Sequence, residues 1–86
     1  MTEKEMDKII GRNIQTVRAI AHINQGEFLR NIQGLGLKIG ISTLRLKESG
    51  LRSFSAFEIY TIYKYCLQLT SITPKTLEEF ISTPLS

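Results

Sequence analysis

The sequence has little of what marks secreted, membrane-spanning or disulfide-rich proteins. Its 86 residues include a single cysteine, Cys66, so no internal disulfide can form, as is usual in a reducing compartment. No apolar run approaches the roughly 18 residues that a membrane span needs. The opening Thr2-Glu3-Lys4-Glu5 lacks the positive start and apolar block of a secretory signal. We therefore expect a cytoplasmic protein with no membrane partner.

Residues with catalytic or metal-binding chemistry are also scarce. His22, the only histidine, falls at the end of a helical pattern, and Cys66 falls among apolar helix positions far from it. The glycines Gly34, Gly36 and Gly40 resemble a phosphate-binding loop only loosely, because they lack the Gly-Lys-Ser/Thr ending and a preceding strand. The expectation is that the chain is not an enzyme and has no metal, no cofactor and no small-molecule effector.

Basic charge is concentrated in the middle of the chain. The formal net charge is +3, but from Arg12 to Arg52 seven basic side chains face two acidic ones, a net of +5. Each flanking segment carries −1. Such a distribution is typical of a protein that binds a polyanion. A basic but merely solvated surface would give the same pattern, so charge alone leaves both interpretations open.

Hydrophobic periodicity predicts one all-α domain over residues 1–86, a compact bundle of about five short helices. The first helix, over 1–22, begins with a capping box formed by Thr2 and Glu5. Its apolar residues then recur at helical spacing: Met6, Ile10, Ile14, Val17 and Ala21.

Two helices separated by a turn are predicted within 24–50. Asn24 is a good cap for the first of them, and the glycines that follow end it. The start of the second stays open between Ile39 and Thr43, and Gly50 ends it. Its apolar residues also alternate as in a strand, but a lone strand would have no partner in this chain.

The last third, 55–86, is predicted to hold two more helices. Ser55 and Glu58 form a second capping box ahead of an apolar helical face. Thr73, followed by a proline at the first helical position, is predicted to cap the last helix. Residues 83–86 are expected to fray.

Two stretches of sequence keep the spacings of a known family. Ile10-Gly11-Arg12-Asn13-Ile14 is followed by Arg18 and by Ile23-Asn24-Gln25-Gly26-Glu27-Phe28-Leu29. Glu48-Ser49-Gly50 and Arg52-Ser53-Phe54-Ser55 then precede an apolar helix. Over residues 6–70 the sequence resembles the Cro/repressor-like (XRE) helix-turn-helix family. The resemblance implies a lambda-repressor-like fold and a cytoplasmic transcriptional regulator, prokaryotic or phage-encoded. It would bind double-stranded DNA as a repressor-type homodimer on a near-palindromic site.

The resemblance also implies which side chains meet DNA. Gln25 would contact a phosphate at the first turn of the second helix, where free backbone N–H groups favour anions. Arg45, inside the third helix, suits a guanine, whereas Arg52, beyond its end, suits a phosphate. The full set of expected DNA contacts is Gln25, Lys38, Ser42, Thr43, Arg45, Lys47 and Arg52. Arg18 and Glu48 would form a structural ion pair between the first and third helices.

The chain departs from the family in the turn of the motif. A surplus of about five residues around Gln33 to Gly40 means that the turn is longer or that a flanking helix is extended. This departure favours an alternative function, a protein-interaction or accessory (anti-repressor) module on the same fold that does not read DNA.

The last third also has more apolar surface than one core face can use. A cluster of this kind usually marks an interface. The candidate dimer interface consists of Phe57, Tyr60, Tyr65, Phe80 and Ile81. The alternative is that the last helix folds back over these side chains and leaves a monomer.

Overall fold

The computed structural model describes residues 1–85, which form five α-helices and no strand. They are α1 (Glu3–Ala21), α2 (Gln25–Gly34), α3 (Ile41–Glu48), α4 (Ala56–Leu69) and α5 (Leu77–Ser82). The predicted all-α bundle is confirmed. Each helix contributes to one core, whose fully buried members include Ile10, Phe28, Leu44, Ile62 and Phe80. None of these described helices is long and apolar enough to cross a membrane.

Three helices begin where the sequence predicts, because a side chain caps each first turn. Thr2 accepts a hydrogen bond from the N–H of Glu5, whose carboxylate accepts one from the N–H of Thr2 in return. Ser55 and Glu58 form the same capping box at α4. The side chain of Asn24 caps α2 through one such bond. Each bond satisfies a backbone donor that the helix itself leaves free.

The predicted start of the last helix is wrong. Thr73 is buried and donates its hydroxyl to the carbonyl oxygen of Cys66 at 2.8 Å. The hydroxyl of Tyr63 donates to the carbonyl oxygen of Pro74, also at 2.8 Å. Because these bonds tie the backbone around Pro74 to α4, the helix begins only after Thr76, which caps it.

The connection between α2 and α3 is a folded loop over 35–40. The surplus residues therefore lengthen the turn. Leu37 is only 3% exposed and joins the core, while Gln33 donates to the carbonyl oxygen of Ile39 at 2.9 Å. Gly36 has a φ of 108°, which residues with a side chain rarely adopt. One buried leucine and one side-chain hydrogen bond thus hold the loop against the domain.

The C-terminal end of α3 is closed by a Schellman motif. The N–H of Leu51 donates to the carbonyl oxygen of Leu46 at 2.9 Å, and that of Gly50 donates to Lys47 at 3.1 Å. Gly50 has a φ of 79°, as the motif requires, so the predicted stop is correct. A Cβ on Gly50 would lie 2.5 Å from the Cγ of Lys8, so this turn packs closely on α1.

A buried asparagine fixes the C-terminal segment onto α1. Asn13 is fully buried. Its amide nitrogen donates to the carbonyl oxygens of Phe80 at 2.7 Å and Thr83 at 3.0 Å. Its Oδ1 accepts from the N–H of Leu85 at 2.9 Å. Residues 83–85 are therefore held and do not fray, which corrects the prediction for them; Ser86 lies outside the described residues.

Asn13→Ala is expected to lower the free energy of unfolding by about 1–3 kcal/mol, because buried backbone groups of the C-terminal segment lose their partners. Urea unfolding measures the change, with Gln68→Ala on the exposed side of α4 as the matched control. If both variants unfold at the same urea concentration, apolar contacts alone hold the segment.

Candidate nucleic-acid interface

The end of α3 rests on one stripe of α1, and we call this contact the α1–α3 junction. Gly11, Gln15 and Arg18 lie on one face of α1, at the spacing of helical neighbours. A Cβ on Gly11 would lie 2.7 Å from the carbonyl carbon of Glu48 and closer still to its oxygen. Gln15 donates to that same carbonyl oxygen at 2.9 Å. Only a glycine lets the two backbones approach this closely, and Gln15 satisfies a carbonyl that the helix end leaves free.

The side chains of Arg18 and Glu48 form the ionic part of this junction. Arg18 Nε donates to Oε2 of Glu48 at 3.0 Å, and Nη2 donates to Oε1 at 2.8 Å. Arg18 Nη1 also donates to the carbonyl oxygen of Ile23 at 3.2 Å. The Glu48 side chain is 1% exposed. The structure thus brings the two expected partners together in the bidentate geometry, which is the stronger form of such a pair.

Gln25 extends this pair toward the surface. Its Nε2 donates to Oε1 of Glu48 at 2.9 Å, and its Oε1 accepts from Nε of Arg45 at 3.4 Å. Arg18, Glu48, Gln25 and Arg45 therefore form a line of side chains from α1 through the core to the exposed face of α3, which we call the polar relay. Gln25 is also the first residue of α2, where backbone N–H groups have no partner inside the helix.

The outward face of α3 carries the candidate reading residues. Ser42, Arg45, Leu46 and Ser49 are exposed and lie on one stripe, while Thr43 is half-buried. Ser42, Thr43 and Arg45 were expected here from the sequence. Leu46 was not, because it was counted among the apolar residues of the helix, yet it is 41% exposed. An apolar side chain on such a face can contact the methyl group of thymine.

Lys47 is not part of this face. Its side chain is buried, its Nζ is bonded to Glu58, and it lies 5.5 Å from the ring centre of Phe54. Although burial alone would raise the pKa of Glu58, the hydrogen bonds from Lys47 and Ser55 hold that pKa below its ordinary value. This corrects the prediction that Lys47 contacts DNA, because its ammonium group is already used to join α3 to α4.

The remaining expected contacts, Lys38 and Arg52, are both exposed. Lys38 lies in the loop before α3. Arg52 follows α3 and lines a shallow cleft together with Glu3, Lys4 and Asp7 of α1. Arg30, which was not predicted, is exposed on α2. The run of basic residues in the middle of the sequence could have indicated it.

Charges on the α2–α3 surface are mainly positive. The exposed charged side chains of residues 24–50 are Glu27, Arg30, Lys38 and Arg45. Glu48 is buried against Arg18 and adds no negative charge to this surface. The basic character of the middle of the chain is therefore exposed on α2, on the loop over 35–40 and on α3.

The candidate dimer interface is only partly exposed. Phe80 is fully buried against Tyr63, with 5.2 Å between ring centres, which removes it from the interface. Tyr65 is half-buried and accepts a hydrogen bond from Asn31, and Ile81 is half-buried. The last helix packs against α1 and α4 and so covers only part of this cluster. Phe57 and Tyr60 stay exposed, at 56% and 55%.

The Cys66 thiol is buried, and the possible metal ligands among the described residues are not grouped. Burial raises the pKa of the Cys66 thiol to about 12, and the charge of Glu48 adds to that rise, so the thiol stays protonated near neutral pH. Within residues 1–85, no three His, Cys, Asp or Glu side chains are placed to hold a metal ion. Every buried side-chain nitrogen and oxygen among them has a hydrogen-bond partner.

Comparison with known proteins adds no relative. Neither a protein-family model nor a curated protein nor a solved structure matches this chain. A function for the chain has to be inferred from its own residues and their arrangement.

Proposed function

We propose that this protein is a sequence-specific DNA-binding transcriptional regulator that uses α2 and α3 as a helix-turn-helix. The observation that carries the proposal is the polar relay. It holds Arg45, on the outward face of α3, beside the first turn of α2 and ties both to the core. A base-reading arginine and a phosphate-binding helix end are the two parts that such a motif needs side by side.

Charge and sequence spacing support the same function. Three exposed cations against one exposed carboxylate on the α2–α3 surface would attract the phosphate backbone. The residues of the relay that come from α1, α2 and the end of α3 are also those whose spacing resembles the XRE family. The longer turn does not separate them, because the loop over 35–40 is folded against the core.

Each side chain has a role in this proposal. Arg45 would bind a guanine through two N–H groups, with Ser42, Thr43 and Leu46 as further base contacts. The N-terminal turn of α2 at Gln25 would receive a phosphate. Lys38 and Arg52, on either side of α3, would bind the flanking phosphates.

We further propose that the protein acts as a homodimer on a near-palindromic site. The surface we assign to it is the exposed side of α4, with Phe57 and Tyr60 at its centre. Aromatic side chains are favoured at interfaces, and a two-fold axis would place two copies of α3 about one helical turn of DNA apart.

DNA affinity is expected to fall steeply with salt, because bound cationic side chains release counterions from DNA. Two or three contacts per subunit in a dimer neutralise about four to six phosphates, giving a slope of about −4 to −5 in a plot of log affinity against log salt. Fluorescence anisotropy with a duplex selected from a random pool measures it. A monomer would give about half this slope.

A flat salt response, or no selectable duplex, would favour a second candidate function. The exposed pair Phe57 and Tyr60 suits a protein partner as well as a second copy. In that case the chain would be an accessory or anti-repressor module that binds another protein.

A further inference from the structure

We infer that Gln25 is a positioning residue that aims the guanidinium group of Arg45 before DNA is bound. This inference rests on the proposed function, in which Arg45 reads a base. It gives Gln25 a task beyond contact with a phosphate, and it makes the buried Glu48 an indirect determinant of base preference.

The chemistry of Glu48 decides which way the amide of Gln25 points. A carboxylate can only accept hydrogen bonds, so Nε2 of Gln25, the donor end, must face Oε1 of Glu48 at 2.9 Å. The amide oxygen is then forced to face outward. An arginine can only donate, and Nε of Arg45 meets this oxygen at 3.4 Å. The buried carboxylate of Glu48 thereby holds a hydrogen-bond acceptor, the amide oxygen of Gln25, at a fixed position that faces outward.

The Glu48 carboxylate is itself well fixed. Arg18 holds both of its oxygens, and its side chain is 1% exposed. The bond from Arg45 is long and exposed, so it is weak alone. Its importance lies in its direction, since the acceptor that it meets cannot rotate without breaking the bond to Glu48.

This arrangement leaves the useful end of Arg45 free. The bond to Gln25 uses only the Nε–H, which leaves the N–H groups of the two terminal nitrogens, Nη1 and Nη2, for a ligand. Those two nitrogens can bind O6 and N7 of a guanine end-on. An exposed arginine otherwise samples many rotamers. Restricting these rotamers in the free protein reduces the side-chain entropy that is lost when DNA binds.

The test is a double-mutant cycle read out as base discrimination, the ratio of affinities for the selected duplex and a scrambled duplex. Arg45→Ala is expected to lower this ratio about tenfold or more, and Gln25→Ala about three- to tenfold. Gln25→Ala combined with Arg45→Ala should lower it no further than Arg45→Ala alone. The control is Lys75→Ala, which removes an exposed side chain outside α2, the loop over 35–40 and α3, and which should leave the ratio unchanged.

Two results would overturn the inference. If Gln25→Ala weakens both duplexes equally, Gln25 is a phosphate ligand only. If the two substitutions lower the ratio independently, Gln25 does not act through Arg45. A wild-type protein that binds no duplex at all would instead contradict the proposed function.

A measurement on the free protein tests the positioning step without DNA. The Nε–H group of Arg45 is observable by ¹⁵N NMR relaxation, and we expect it to be ordered in the wild type and mobile in Gln25→Ala. The Nε–H of Arg30 on α2 serves as the internal reference and should not change. An Arg45 group that is equally mobile in both proteins would overturn the inference whatever the DNA assays show.

Discussion

Glu48→Ala is expected to lower the free energy of unfolding by about 3–5 kcal/mol, because it leaves the half-buried guanidinium group of Arg18 without its partner. Arg18→Ala should cost at least as much, since the Glu48 carboxylate that it leaves behind is the more deeply buried partner. An exposed charge such as Lys75, replaced by alanine, should change stability by less than about 1 kcal/mol. Urea unfolding of the three variants gives these differences.

The double variant tests whether Arg18 and Glu48 stabilise the protein as an ion pair or independently of each other. Arg18→Ala with Glu48→Ala removes both charges, so its loss should be smaller than the sum of the single losses. Small and additive losses would show that the pair contributes nothing as a pair. Where Glu48→Ala fails to fold, Glu48→Gln keeps the shape and the hydrogen-bond acceptor and should give a measurable, intermediate loss.

Gly11→Ala is expected to lower the free energy of unfolding by about 3 kcal/mol, about as much as Glu48→Ala. The new methyl group would lie 2.7 Å or less from the carbonyl group of Glu48, and a backbone cannot move aside as a flexible side chain can. The end of α3 must then move away from α1, which pulls Glu48 out of line with Arg18. We therefore expect DNA binding to fall as well.

Gly34→Ala is the matched control for this substitution. It also places a methyl group on a helical glycine, but nothing lies within 4 Å of the new Cβ. Alanine is the better helix former by about 1 kcal/mol, so this variant should be unchanged or slightly more stable. Thermal unfolding of both variants measures the difference. Equal melting temperatures would show that the α1–α3 junction tolerates a side chain at position 11.

Local features of the fold could be predicted from the sequence because they depend on neighbours in the chain. The caps at Thr2, Asn24 and Ser55 are such features, since each side chain bonds a backbone group three residues on. The start of α5 could not be predicted in this way. Thr73 and Thr76 are both acceptable caps, and the choice between them depends on contacts of 73–76 with α4 that only the folded chain makes.

The candidate site could be predicted only in part. Gln25 was expected from family spacing and Arg45 as a polar residue of the third helix, but Lys47 was misplaced because it was grouped with the other polar residues of that helix. Helical spacing puts Lys47 on the same face as Leu44 and Glu48, both of which are buried. Asn13 did carry a signal: it is a polar residue at core spacing between Ile10 and Val17, which indicates a buried hydrogen-bond partner.

The way α3 is attached also determines how it can move. Its C-terminal end is clamped by the α1–α3 junction and by the turn at Gly50, whereas its N-terminal end packs on the core through the partly buried Ile39 and Ile41. A helix of eight residues is about 12 Å long, so a small tilt at the clamped end becomes a larger displacement at Ile41. The helix is therefore attached more firmly at its C-terminal end than at its N-terminal end. In the proposed function, the less firmly attached end would follow the groove width, which varies with DNA sequence, while the relay at Arg45 keeps its register.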